Sequence, residues 1–459
     1  MIWNSLSIDD KSFFLAVYMN VSRLFIMAFG GVFALFVACV SVNSSTTTVD
    51  KTPIKPIVQV YDETGCLYKS YDKLVMAGYQ GWFAAQDDES ERGWYHYDAK
   101  CGFAPGCSTI DMWPDMKEYT KTYETPFAFA DGSKAFLYSP YDESTIDLHF
   151  KWMKEYGIDG VHMQRFVVEI NGSKVNGKRH FNKVLENALK ASVKYGRAIS
   201  IMYDLSGCKK EDIAYIAKDF NELQKQFHLF DNVKNPTFLR HNGKPLISIW
   251  GVGFNDNRKY SIADVDALVT KLKGPNNAIS ILLGVPYYWR TFGRDTENNP
   301  ALHALIKKCD ILMPWAVGRY KIESYDSSIV AADVKWAEAN GVDYVPLVFP
   351  GFSWGNLQKD TSLYNATPRV KGDFLWKQIA GAKMGGAKSL YVAMFDEIDE
   401  GTAIYKVLNQ KNVPLNGSQG GKFIGIENYL PTDYYLWLTG QGARWFHNEG
   451  NYGMTKPVR

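Results

Sequence analysis

The segment from Ser144 to Tyr203 carries the fold. It reads STIDLHFKWMKEY (Ser144–Tyr156), GVHMQRF (Gly160–Phe166), FNKVLENALKASVKY (Phe181–Tyr195) and AISIMY (Ala198–Tyr203). The first and third pieces repeat their apolar residues at helical spacing. The second and fourth are short apolar runs without strict alternation, as in strands covered on both faces. Helix, strand, helix, strand is the signature of a parallel sheet wrapped in helices. Working outward, runs of the second kind recur at Lys73–Trp82, Pro245–Trp250, Ala278–Val285, Asp310–Trp315, Asp343–Phe349 and Ser389–Phe395. Helical patterns fall between them at Glu211–Phe227, Ile262–Leu272, Ala301–Lys308, Ser328–Asn340 and Gly372–Met384. The expected class is α/β, a (β/α)8 TIM barrel, with a doubly wound open sheet as the alternative.

Two stretches break the alternation. Residues 83–140 form a long insertion after the first strand, on the face where barrel enzymes build their sites, and are expected to wall the cleft. Residues 411–459 form a C-terminal extension. There Thr432 is the expected N-cap of a last helix packed on the barrel. The chain of 459 residues then divides into 1–39, a 40–60 tether and a single domain over 61–459.

In such a barrel the residues at the strand ends meet at one rim. The candidates for substrate contact are Tyr79, Gln80, Trp82, His162, Arg165, Tyr203, Asp204, Trp250, Tyr288, Trp289, Arg290, Trp315, Trp354 and Asp396. Flat rings beside directional polar groups suit sugars, and 15% of the chain is aromatic, with 13 Trp and 28 Tyr. Arg165 and Arg290 are expected either to position the acids or to bind an acidic sugar, and His162 either to hold a hydroxyl or to pack in the core.

The sharpest local feature follows the last strand: Tyr391-Val392-Ala393-Met394-Phe395-Asp396-Glu397-Ile398-Asp399-Glu400-Gly401-Thr402. Four carboxylates within five positions repel one another unless something uses them. Glycosidic cleavage needs a proton donor and a second carboxylate, and Glu397 with Glu400, three apart in one turn, meets that need. A solvated loop and a metal site are the other readings, although the Asp-x-Asp-x-Asp-Gly calcium pattern is missing. No cofactor or metal is expected.

The segment Met394–Thr402 resembles the Asn-Glu-Trp-His-Glu-Gly-Thr motif of glycoside hydrolase family 99 and its relative, family 71. Tyr79-Gln80-Gly81-Trp82 and the run Leu430–Gly440 are similar as well, so the likeness spans most of the chain from Leu74 to Phe446. Family 99 contains retaining barrel enzymes, endo-α-1,2-mannosidases and mannanases, thought to act through a 1,2-anhydro sugar. By position the resemblance implies Glu397 as the base for the 2-hydroxyl and Glu400 as the general acid. Ile398-Asp399 stand where the family has Trp-His, so the contacts of that pair are missing or supplied from elsewhere. A glycan-binding barrel without catalysis and a metal-dependent enzyme using Asp396–Glu400 are the alternatives.

Leu24–Val40 is apolar, follows Arg23 and ends in Phe36-Val37-Ala38-Cys39, with a Ser/Thr-rich stretch after it. This is a signal-peptide profile, short for a membrane span. Ala38-Cys39 resembles a bacterial lipobox, which implies lipidation at Cys39 and an exported, outer-membrane lipoprotein. Without Cys39 five cysteines remain, so at least one is free; Cys101 and Cys107 are near enough to bridge a small loop. A net charge of +2 with no basic run excludes nucleic acid as a partner. The expected partners are a carbohydrate and, through the lipid, a membrane, with the protein a monomer.

Overall fold

The computed structural model describes residues 62–417 and 421–459. The expected signal segment 1–39 with Cys39, and the tether 40–60, lie outside the described residues.

Eight strands form the barrel: β1 (Val75–Tyr79), β2 (Gly160–Phe166), β3 (Ala198–Asp204), β4 (Lys244–Trp250), β5 (Ser280–Pro286), β6 (Ile311–Trp315), β7 in two pieces (Asp343–Tyr344 and Leu347–Val348) and β8 (Leu390–Val392). Neighbours pair in parallel in chain order, and β8 returns to β1. The first piece of β7 pairs with β6 and the second with β8, which closes the ring. Pro346 stands at the break. Having no N–H, it serves only as an acceptor, for the Tyr391 N–H at 3.0 Å. The closed barrel therefore prevails over the open sheet.

The helices are α1 (Glu143–Tyr156), α2 (Gly177–Tyr195), α3 (Lys210–Phe227), α4 (Ile262–Lys273), α5 (Ala301–Ile306), α6 (Ser327–Ala339) and α7 (Asp373–Met384), followed by α8 (Tyr434–Phe446) in the extension. β1 is shorter than its apolar run because Lys73 and Gly81 take positive φ, 68° and 60°, which ends the extended backbone at either side.

Strand residues alternate between two apolar layers. Val75, Ala77 and Tyr79 face the helices, and so do Val161, Met163, Ile199, Ile201 and Tyr203. Met76, Ala198, Met202, Leu246, Trp250, Leu282, Ile311, Met313 and Tyr391 fill the barrel interior. This parity determines which candidate residues can reach the rim.

The insertion 83–140 holds an antiparallel hairpin, Tyr123–Ala128 with Lys134–Leu137, and a Cys101–Cys107 disulfide. Cys66, Cys208 and Cys309 are free and buried. Helix α8 packs against α1 and α7. Gly440 permits this, because a Cβ there would lie 1.8 Å from the Tyr156 carbonyl oxygen. Thr432 is not the cap of α8. Its hydroxyl donates to Asp115 Oδ2 at 2.8 Å, and Asp433, the residue at the cap, makes no side-chain capping bond. The carboxylate of Asp433 is taken instead by Tyr156 and Arg459.

Candidate active site

Beyond β8 the chain makes a tight reversal that presents the acids. The Phe395 N–H donates to the Gly78 carbonyl (2.8 Å), which ties the outgoing leg to β1. On the return leg the N–H groups of Ala403, Ile404 and Tyr405 donate to the carbonyls of Glu397, Met394 and Phe395 at 2.8, 3.0 and 3.1 Å. The Ile398 side chain is fully buried in the core, while its carbonyl accepts from Asp111 and Met112 of the insertion. The Glu400 carbonyl accepts from Ser353 N–H (2.9 Å), in the loop after β7. Gly401 has φ 61°, and a Cβ there would sit 2.9 Å from that of Ser353, so the turn requires glycine.

The acids have different surroundings. Asp396 is fully buried, and its two oxygens accept the Gln80 and Gly81 N–H groups at 2.7 and 2.9 Å. It fixes the β1 loop and, with no exposed surface, presents nothing to a sugar, which corrects its expected role in substrate contact. Glu397, 3% exposed, accepts from Gln80 Nε2 (2.6 Å) and Thr402 Oγ1 (2.8 Å). Asp399 is buried with Oδ1 unpartnered, and its Oδ2 lies 3.9 Å from His96 Nδ1. The Glu400 residue is half-buried.

His96, stacked on Trp82, lies beside Asp399, Asp204 acts on Glu400, and the loop holding Phe352 and Trp354 is tied to the Glu400 carbonyl through Ser353. The Trp82 indole is held between His96 (4.0 Å, 11°) and Phe166 (4.7 Å, 27°), so it supports the histidine and is not a bare sugar platform. Trp250 meets Trp315 edge-on at 4.9 Å, and the Arg258 guanidinium lies 5.5 Å from the Trp250 ring. Tyr288, half-buried, is engaged by Arg294 at 2.9 Å. Among the strand-end and acid-loop residues, Gln80 Oε1, Trp82 Nε1, Gln164 Oε1, Trp250 Nε1, Trp354 Nε1 and Asp399 Oδ1 are buried polar atoms without a protein partner. Each such atom costs about 1–3 kcal/mol when nothing satisfies it.

Six further candidates do not reach the rim. Tyr79 points outward, its hydroxyl 2.7 Å from His149 Nδ1. Arg165 and Tyr203 are paired in register and so share a face. That face is the helix side, where both bind Asp219 of α3, at 2.6–2.7 Å and 2.8 Å. Trp289 and Arg290 turn to Asp333 of α6, at 3.2 and 2.6 Å. His162 faces inward but lies deep in the barrel between Ser248 (3.1 Å) and the Tyr71 hydroxyl (3.3 Å). It is a core histidine, which burial holds neutral by pushing it down to about 3. The reason for the first three is strand parity: adjacent positions on one strand face opposite layers.

No protein-family model matches the chain, and no curated protein matches it in sequence. Among solved structures, that of the glycoside hydrolase family 99 endo-α-mannosidase from Bacteroides thetaiotaomicron superimposes with a TM-score of 0.59. The match covers 83% of this chain and 99% of that one at 14% identity. The complex of that enzyme with Bis-Tris-propane matches equally, over 98% of its length. This chain has the same barrel fold as that enzyme. At this identity the fold is what the two share, and it agrees with the likeness read from Met394–Thr402.

In this barrel, burial sets the electrostatics. Glu397 is pushed well above the usual carboxylate range by burial and then by the charges of Glu400 and Asp399, against the pull of its two donors. Burial, then Asp399 and Asp204, pushes Glu400 up to about 8. Asp396 and Asp399 are each pushed up to about 7, again mainly by burial. The cluster therefore retains protons at neutral pH. Among the described residues no group of three or more His, Cys, Asp or Glu is arranged to hold a metal ion. Sequence reasoning did not single out His96 or Thr402. The run Trp94-Tyr95-His96 in the insertion and the Gly-Thr after Glu400 were the available signals.

Proposed function

We propose that this chain is a glycoside hydrolase with Glu397 and Glu400 as its acid/base pair. The observation that carries the reading is the contrast between two glutamates on one turn at the end of β8. Glu397 is buried and gripped by Gln80 Nε2 and Thr402 Oγ1, whereas Glu400 is more open. Both are raised, so ionising one disfavours ionising the other and the pair offers one base beside one acid, with the roles taken from the family resemblance. Glu397 removes the proton from a substrate 2-hydroxyl as that oxygen attacks the anomeric carbon. Glu400 protonates the departing glycosidic oxygen, so the bond breaks without releasing an alkoxide. Water then opens the 1,2-anhydro sugar with the two roles reversed. Asp396 acts by holding the loop that carries Gln80 against Glu397.

α-Mannan is the first substrate to test, since the matched structure is that of an endo-α-mannosidase. Digestion of an α-mannan and a wider glycan panel, followed by proton NMR from the first minutes, should show product with retained anomeric configuration. Absence of product from every glycan overturns the reading. Glycan binding in calorimetry without product would favour the non-catalytic barrel, for which Ile398-Asp399 in place of Trp-His is the supporting observation.

The pH dependence follows from the acid. Because Glu400 must be protonated to donate, kcat/KM should fall as pH rises through about 8. A profile flat to pH 9.5 or above, recorded at ~0.5-unit steps, would exclude Glu400 as the titrating acid.

Export as a lipoprotein anchored at Cys39 is part of the same proposal. The Cys101–Cys107 disulfide supports an oxidising compartment. Cys39→Ala is expected to abolish incorporation of labelled fatty acid and to release the protein from the membrane fraction. Unchanged labelling would refute the anchor.

A further inference from the structure

We propose that His96 and Asp399 form a clamp for one ring hydroxyl of a neutral hexose; the inference rests on the glycan-site reading above. His96 comes from the insertion and Asp399 from the acid loop, at the position where the family motif has its own histidine. The insertion thus returns an imidazole to a loop that lacks one.

His96 Nδ1 and Asp399 Oδ2 are 3.9 Å apart, too far for a hydrogen bond to each other. An oxygen about 2.8 Å from both would subtend an angle of roughly 90°. A hydroxyl meets that geometry by donating to the carboxylate and accepting from the ring N–H. The His96 side chain is 26% exposed and can be reached, whereas that of Asp399 is 3% exposed, with Oδ2 toward His96 and the other oxygen, Oδ1, without a partner. The imidazole is also held in place. It lies parallel to Trp82 at 4.0 Å, Tyr95 packs edge-on at 4.8 Å, and its own backbone sits at φ 62° with the carbonyl bound by Thr109 Oγ1. Strain of this kind in a non-glycine residue persists where the surroundings over-determine it.

The surroundings also select the class of sugar. Asp204, Glu397 and Glu400 stand close to the clamp's carboxylate or to one another, so a uronate or sulfated sugar would add an anion where each ionisation already disfavours the next. The two arginines expected to read an acidic sugar, Arg165 and Arg290, are committed to Asp219 and Asp333 in the helix layer.

The test is a calorimetric cycle with α-mannobiose and its monodeoxy analogues on the wild-type protein, His96→Ala, His96→Phe and Asp399→Ala. His96→Phe keeps the ring stack and guards against a folding defect in His96→Ala. In the wild type, deleting one particular hydroxyl should weaken binding about 10-fold or more, and that same deletion should cost nothing further in the variants. Deletion penalties unchanged in both His96 variants, or a wild-type protein that does not bind α-mannobiose, would overturn the clamp. The expected cycle in a protein that releases no product would support the clamp and overturn hydrolysis instead.

Discussion

Glu400→Gln is expected to lower kcat about 10²–10⁴-fold on a natural glycan while changing stability by less than about 1 kcal/mol. The amide has the shape of the protonated acid and carries no charge, and in a site where Glu400 already holds its proton at neutral pH, the fold meets nothing new. What is lost is the transferable proton. The size of the loss should depend on the leaving group. With a nitrophenyl glycoside, whose phenolate departs without help, Glu400→Gln should recover most of the wild-type rate. Glu397→Gln should be impaired on both substrates, because formation of the 1,2-anhydro sugar needs its base whatever departs. Equal impairment of Glu400→Gln on both substrates would assign the acid elsewhere.

Asp219→Ala is the change expected to cost most in stability, about 3–5 kcal/mol. Asp219 and the Arg165 guanidinium are both buried, joined by two hydrogen bonds, and the Tyr203 hydroxyl adds a third to the same carboxylate. Removing the carboxylate strands the Arg165 charge between β2 and α3. Replacing both partners, as in Arg165→Met with Asp219→Leu, removes the stranded charge and should recover much of the loss. Denaturant melts check both variants. KM for whatever glycan the wild type cleaves should stay unchanged in the folded fraction. A stable Asp219→Ala protein with an altered KM would return Arg165 to the substrate.

The alternation of apolar runs and helical patterns was legible because each strand is buried on both faces and each helix on one. The pieces between Ser144 and Tyr203 sit within a residue or a few of where their composition puts them. The Asp396–Glu400 cluster was equally legible, since its charge density has no purely local use. Facing was harder to read. Tyr79, Arg165 and Tyr203 lie at strand ends and carry the right chemistry, yet point to the helices because their neighbours Gly78, Gln164 and Met202 point inward.

The order of residues was enough to determine the alternation of strands and helices, the eight strand positions and the loop that holds the acids, because periodicity and charge are local properties of the chain. Closure of the sheet was decided by the two pairings of β7. Only the folded chain decides that Asp396 is committed to the β1 loop, that Glu397 receives Gln80 and Thr402, and that His96 arrives opposite Asp399. Those partners are separated by hundreds of residues or lie across a turn, and contact between them depends on closure of the ring and the parity of each strand, neither of which a single segment encodes.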